Sequence, residues 1–342
     1  MVLGRAASGI FALAICLVAG PLGRALKVMD IPDGVRHLHK NPTPMTGGLS
    51  VMGPTVLAAG YLAVTTNFSP FYGGVAALMV ASLLLGLTDD RAHIRPLLRL
   101  GLSTGTVLAL MIFVPATTVT FFHFSFLETA IFLAGFWGIG FTAISMVGLQ
   151  NALNMADGKN GLGVGLCLVW VALLVPYAPE HLVPLLAVML VALGVTAAFN
   201  LAGRLFLGDS GTYSLSVTIG VLTVYVYNVN FSMLHADIVA LWFLIPVVDA
   251  LRLILYRIMA GRSPFSSDTI HFHNLLEKLM PWRWGLFVYL TLVAAPGVAA
   301  RVAPDWTVLW AALGIAVYSA VVVANHWDAQ SRRLRLRLPH NG

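Results

Sequence analysis

The sequence predicts an all-α, polytopic integral membrane protein of about eleven transmembrane helices. Three observations carry that expectation: bulk apolarity, the length of the apolar runs and a one-sided distribution of basic residues. Of 342 residues, 58% are hydrophobic and only 10% charged, whereas an ordinary soluble domain carries about a quarter charged residues. The runs last about twenty residues rather than alternating over about ten, which selects helices over barrel strands. Hydrocarbon offers backbone N–H and C=O groups no partner, so each span must satisfy its own.

Eleven runs meet this description: 3–22, 45–64, 70–87, 97–115, 129–149, 161–177, 182–199, 211–227, 237–259, 283–300 and 306–324. Lys and Arg resist translocation while acidic residues count for little, so basic residues report orientation. Eighteen of the twenty fall in or beside alternate gaps and the C-terminal tail, leaving only Arg5 and Arg301 on the other side. This places the N-terminus in the periplasm and the C-terminus in the cytoplasm. Run 3–22 reads as a retained span rather than a signal peptide, because its stronger basic flank, Arg24 and Lys27, follows the apolar residues. The net charge of +6 is then a topology signal, and no soluble basic module is present to bind nucleic acid. The chain reads as one domain over 1–342, with a basic cytoplasmic tail at 325–342 suited to anionic lipid.

The first inner gap, 23–44, holds Arg36, His37, His39 and Lys40 among prolines and leads into Gly47-Gly48. Its Pro and Gly density predicts a shaped loop, and its cations suit either an anionic substrate or topology alone. Run 70–87 closes on Asp89-Asp90. Two carboxylates at the negative end of a helix dipole need a cation or a proton to offset them, or serve as caps and partners for Arg91 and Arg95.

Run 129–149 leads into Asn151-Ala-Leu-Asn154-Met-Ala-Asp157-Gly-Lys-Asn160-Gly161. If the helix continues, Asn151 and Asn154 share a face at i,i+3. The Asp-Gly and Asn-Gly pairs are also plain turn signals. Such hard oxygen donors suit Mg2+ shared with substrate phosphates. Runs 161–177 and 182–199 are apolar throughout, and Cys16 and Cys167 sit inside apolar runs as small buried residues without metal-type spacing. Phe206-Leu-Gly208-Asp209-Ser-Gly211 opens run 211–227, with Asp209 either an N-cap or a metal ligand. Asp249 in run 237–259 stands three residues before Arg252, its natural partner in the inner leaflet. Loop 260–282 carries Arg262, Asp268, His271 and His273. Two histidines without a third ligand are a weak zinc signal, and phosphate contact fits them better.

Taken in order, Arg36 to Gly48, Asp89-Asp90, NALNMADGKNG, FLGDSG and SPFSSDTIHFHNL over residues 263–275 resemble the polyprenyl-phosphate N-acetylhexosamine-1-phosphate transferase superfamily. This is glycosyltransferase family 4, and the SPFSSD run looks like its WecA/TagO branch, related to MraY. The resemblance implies a bacterial inner-membrane enzyme with its active site facing the cytoplasm. It would transfer a HexNAc 1-phosphate from a UDP-sugar to undecaprenyl phosphate, release UMP and initiate O-antigen or a related envelope glycan. GlcNAc is the first expectation for the sugar, with FucNAc or QuiNAc as alternatives. The resemblance further implies Mg2+ or Mn2+ at Asp209 with Asn154 nearby, and Asp89, Asp90 and Asp157 as catalytic residues. Arg36, Lys40, Asn151, Asn160, Arg262, His271 and His273 would bind substrate. Family members occur as dimers, so a homodimer is also expected. His93, Asn160 and Asn274 stand where the family pattern commonly has other residues. A membrane transporter is the expectation from another class, but the ionisable residues flank the spans and no internal repeat is visible.

Overall fold

The computed structural model describes residues 2–32, 41–266 and 268–337, with side chains described for 4–32, 41–266 and 268–325. Arg36 and Lys40 lie outside the described residues, as do the side chains of the basic tail. The described helices are α1 (Val2–Leu17), α2 (Ala19–Leu26), α3 (Gly47–Thr65), α4 (Ser69–Ala92), α5 (Pro96–Phe113), α6 (Phe136–Ala156) and α7 (Leu162–Leu174). They continue with α8 (Val183–Leu201), α9 (Gly208–Val229), α10 (Ala236–Met259), α11 (Phe272–Leu279), α12 (Trp282–Val302) and α13 (Thr307–Arg337).

The chain is a mostly helical, polytopic membrane protein. Among the described residues eight helices are long and apolar enough to cross a bilayer, and α1 with α2, bent by 69°, would make a ninth as one broken span. Two predicted runs depart from that pattern. Run 129–149 begins as irregular chain, because Phe121–Phe122 and Ile131–Phe132 pair as a small antiparallel hairpin and Gly135, at φ +35°, turns the chain into α6. That helix then carries polar Gln150, Asn151 and Asn154 in its last turns. Run 161–177 yields only the 13 residues of α7, extended by a 3-10 turn at Val175–Tyr177. At 1.5 Å per residue α7 spans about 20 Å, less than the hydrocarbon thickness of about 30 Å.

Helix α9 is the centre of the bundle, with 89% of its apolar window buried. Its sequence explains that position. Ser210, Gly211, Ser214, Ser216, Thr218 and Gly220 keep its surface slim, and small residues let neighbouring membrane helices approach closely. Several buried hydroxyls donate back along the helix, Ser214 Oγ to Ser210 O at 2.5 Å and Thr223 Oγ1 to Ile219 O at 2.7 Å, while those of Ser210 and Thr218 have no hydrogen-bond partner among the described residues. On α3, a Cβ at Gly48 would stand 2.4 Å from Gly211 N; on α4, one at Gly86 would stand 2.3 Å from Ser210 Cα. These two glycines therefore set the spacing of α3 and α4 from the start of α9.

A second small sheet, Met29–Asp30 with Thr43–Pro44, closes the base of the first inner gap. Phe206 N donates to Pro44 O at 2.9 Å, and Gly47 N to Phe206 O at 2.9 Å. The strand pair thereby fixes the FLGDSG segment beside the start of α3.

Candidate active site

The ends of α4, α6 and α9 bring the motif carboxylates together. Gly208, at φ +72°, takes a left-handed conformation that favours glycine, and from it α9 starts with its first N–H groups aimed at α4. Asp90 receives them: Oδ1 accepts from Asp209 N at 2.8 Å and Oδ2 from Ser210 N at 3.0 Å. A carboxylate there satisfies orphan donors and complements the positive helix end. Asp90, not Asp209, is thus the cap of α9.

Asp89, on the next position of α4, is buried and also fully engaged. Its Oδ1 accepts from Ile94 N at 2.7 Å, and its Oδ2 from Tyr213 Oη at 2.6 Å and Arg99 Nη1 at 3.2 Å. Arg99 also donates to Tyr213 Oη at 2.8 Å. His93 ends α4 at φ +47°, donating its N–H to Asp89 O at 2.9 Å.

Asp209 differs from both. Its Oδ1 accepts from Asn154 Nδ2 at 2.5 Å, while its Oδ2 accepts no hydrogen bond from the described residues. Asn154 Nδ2 also donates to Thr212 Oγ1 at 3.2 Å, so the amide fixes the carboxylate rotamer. Asp89, Asp90 and Arg99 surround it electrostatically. Among the described residues no group of three His, Cys, Asp or Glu is arranged to hold a metal by itself. Mg2+, however, usually takes one or two carboxylates and completes its shell with water and substrate phosphate. The uncommitted oxygen of Asp209, set among oxygen donors, fits that cation.

The last turn of α6 links this cluster to a second one. Asp157, one residue past α6, accepts from Gly163 N at 3.2 Å, and burial pushes its carboxyl up to about 7. A Cβ on neighbouring Gly158 would stand 2.4 Å from His273 Nε2, so the imidazole rests on this turn. Burial first, then His271 and Lys159, push His273 down to about 3. It is therefore neutral at physiological pH. His271 stacks on it at 5.3 Å and is also lowered, chiefly by burial.

For Asp157 the folded value lies above the unfolded one of about 3.9. The stability it contributes is present below about pH 4 and is lost as pH rises through about 7. Thermal unfolding of the detergent-solubilised protein should show falling Tm across that window, and Asp157→Asn should flatten the slope; an unchanged slope would dissociate it from this carboxyl.

Loop 157–161 is clamped from several sides. Gly161 N donates to Asn200 Oδ1 at 2.6 Å, Trp282 Nε1 to Asn160 O at 2.9 Å, and Lys159 pairs with Glu277 at 2.5 Å. The Asn160 side chain packs by Gly203. Loop 260–272 is tied down by Arg257 to Asp268 at 2.8 Å and Arg252 to Asp249 at 2.8 Å. Asp249 Oδ2 in turn accepts from Phe272 N at 3.0 Å, capping α11. The pairing of Asp249 with Arg252 is as the sequence predicts, and it makes Asp249 an organiser of the histidine loop.

The expected residues thus form one carboxylate group and one histidine group joined through α6. Asn151 stands aside, its Nδ2 donating to Val147 O at 2.8 Å within its own helix, and Arg262 is exposed beyond α10. Sequence reasoning missed Arg99, Tyr213, Thr212 and Asn200 as site residues. In the sequence Arg99 is one of the basic residues that report topology, Thr212 and Tyr213 directly follow FLGDSG, and Asn200 stands one residue past run 182–199.

Residues 72–227, from α4 to the end of α9, match the model for glycosyl transferase family 4. The chain is 28% identical to a decaprenyl-phosphate N-acetylglucosaminephosphotransferase of Mycolicibacterium smegmatis over 84% of this chain and 79% of that protein. It is 25% identical to the undecaprenyl-phosphate alpha-N-acetylglucosaminyl 1-phosphate transferase of Escherichia coli K12, over 95% and 93%. A probable undecaprenyl-phosphate N-acetylglucosaminyl 1-phosphate transferase of Bacillus subtilis is 26% identical, over 78% and 75%. The matched segment, just under half of the chain, contains Asp89, Asp90, Asn154, Asp157 and Asp209, and it is over this segment that the chain resembles glycosyl transferase family 4.

Proposed function

We infer that this protein transfers a HexNAc 1-phosphate, with GlcNAc as the first candidate, from a UDP-sugar to undecaprenyl phosphate and releases UMP. The observation that carries the reading is the Asp209 carboxylate, held by Asn154 with one oxygen uncommitted beside Arg99, Asp89 and Asp90. In this reading eleven spans cross the bacterial inner membrane with the N-terminus periplasmic, and the site faces the cytoplasm, where UDP-sugars are made. The product would start O-antigen or a related envelope glycan, and the enzyme would function as a homodimer.

The acceptor phosphate needs little activation, because its second pKa of about 6 leaves it largely dianionic at neutral pH. Its oxygen attacks the sugar-bearing β-phosphorus in line. The new P–O bond forms as the bond to the bridging α–β oxygen breaks, and that oxygen leaves with UMP. Arg99 draws the acceptor phosphate toward α4, Asp89 holds the guanidinium in place, and Asp90 fixes the first turn of α9. Asp157, Asn160 and the neutral His273 hydrogen-bond the donor, while Arg36, Lys40, Arg262, His271 and Asn151 contribute further substrate contacts. Mg2+, or Mn2+ in its place, would be held by Asp209 with Asn154 and, when bound, supplies charge neutralisation on the diphosphate.

The test is UMP release by purified protein with undecaprenyl phosphate and a panel of UDP-GlcNAc, UDP-FucNAc and UDP-QuiNAc. Turnover requiring both substrates is expected. Stoichiometric UMP from UDP-sugar alone, with a phosphosugar left on the protein, would instead establish a covalent intermediate. No turnover with any donor would sink the reading and favour a carrier or a non-catalytic family member.

A further inference from the structure

Helix α13 is the least embedded of the candidate spans, with 17% of its apolar window buried. It packs chiefly on α10, α11 and α12, along one narrow stripe that runs through Ala311, Gly314, Tyr318 and Asn325. A span that only anchors the chain needs no polar group on such a stripe, because each one must find a partner away from water. Here Tyr318 and Asn325 both find theirs on the histidine segment or on the ion pair that holds it.

Tyr318 Oη donates to Asp249 Oδ1 at 2.8 Å and accepts from Arg252 Nε at 2.7 Å. The phenol thus closes a ring with the Asp249 and Arg252 pair, and each member of that pair grips the backbone beside His271. Arg252 Nη2 donates to Ile270 O at 2.5 Å, and Asp249 Oδ2 accepts from Phe272 N at 3.0 Å. The Tyr318 ring lies 4.8 Å from that of Phe272, the residue between the two histidines. Nearly two turns further along the same face of α13, Asn325 Nδ2 donates to Leu275 O at 3.2 Å. The segment from Ile270 to Leu275 is therefore held at both ends from α13, and His271 and His273 stand inside it. Without the phenol, Asp249 and Arg252 would still pair, but nothing would tie the orientation of that pair to a second helix.

We propose that α13 is the positioning element of the donor site, with Tyr318 and Asn325 holding His271 and His273 where they meet the UDP-sugar. This rests on the donor contacts assigned above. Neither side chain touches substrate; both act through the histidine segment. The carboxylate cluster stands instead on α4, α6 and α9, so the grip bears on donor binding rather than on the acceptor or the chemical step.

The experiment compares full-length wild type, Tyr318→Phe and Asn325→Ala in nanodiscs, with UDP-GlcNAc and undecaprenyl phosphate as substrates. Each variant should raise the KM for UDP-GlcNAc about tenfold, as for a segment that is binding-competent about a tenth of the time. At saturating donor, kcat and the KM for undecaprenyl phosphate should change by less than about twofold, the pattern of lost binding rather than lost chemistry. Tyr318→Phe should add less in a His273→Ala background, because part of what it acts through is gone. Amide hydrogen exchange over residues 268–276 should quicken in both variants without UDP-GlcNAc present. An unchanged KM for UDP-GlcNAc in both folded variants, equal increases for both substrates, or an undiminished effect of Tyr318→Phe in the His273→Ala background overturns the positioning role while wild-type turnover preserves the transferase reading. Wild type inactive on every UDP-sugar defeats that reading itself, and the exchange measurement then decides the grip: unaltered exchange over 268–276 in both variants overturns it. Should Tyr318→Phe fold poorly, Asn325→Ala alone carries the same comparison.

Discussion

Asp209→Asn should lower turnover by about 10²–10³-fold or more at saturating Mg2+, the cost typical of deleting one preorganised electrostatic group from an active site. The substitution is nearly isosteric. The new side-chain carbonyl can still accept from Asn154, which now holds Oδ1 at 2.5 Å, so the rotamer and the α9 start are retained. What disappears is the negative charge and the anionic character of the oxygen without a hydrogen-bond partner. If that oxygen meets a divalent cation, the variant should need far more Mg2+ for any residual rate while its Tm stays close to wild type. UMP release titrated against Mg2+, with thermal unfolding in parallel, reads both effects. Full activity at millimolar Mg2+ would remove Asp209 from the metal role.

The contrast among the three carboxylates also marks the limit of what the chain discloses before folding. Hydropathy and basic-residue placement are summed over twenty residues at a time, so the membrane class and most of the helices were legible. The motif residues were legible as well, because Asp, Asn and Gly cluster where apolar runs stop. Their division of labour was not. Asp89 and Asp90 are neighbours in sequence, yet one serves Arg99 and Tyr213 and the other caps α9; that depends on how α4 crosses α9, a contact between residues over a hundred positions apart. Tyr213 and Arg99 escaped for the same reason: Tyr213 follows FLGDSG by two residues and Arg99 follows Asp89 by ten, but only the crossing of α4 and α9 brings both onto the Asp89 carboxylate. The late start of α6 escaped because a hairpin register, Phe121 to Phe132 and Phe122 to Ile131, outweighs local apolarity.

Gly86→Ala should cost both stability and most of the activity, although it adds one methyl group to a helix and improves helix propensity. A Cβ there would lie 2.3 Å from Ser210 Cα, 2.4 Å from Asp209 O and 2.5 Å from Ser210 N. All three are main-chain atoms, with no rotamer by which to yield. Overpacking of this kind typically costs about 1–3 kcal/mol. The first turn of α9 cannot retreat without stretching the bonds from Asp209 N and Ser210 N to Asp90, and hydrogen bonds to a charged group are worth about 1.5–3 kcal/mol each. Displacement would carry Asp209 away from Asn154 as well, so turnover should fall by at least about tenfold with a lower Tm. Gly60→Ala on α3 is the matched control, since its Cβ would meet nothing within 4 Å; there the propensity gain of up to about 1 kcal/mol should appear unopposed. Equal Tm and turnover in the two variants would show that the α4–α9 crossing tolerates a side chain, and that the site does not depend on its closeness.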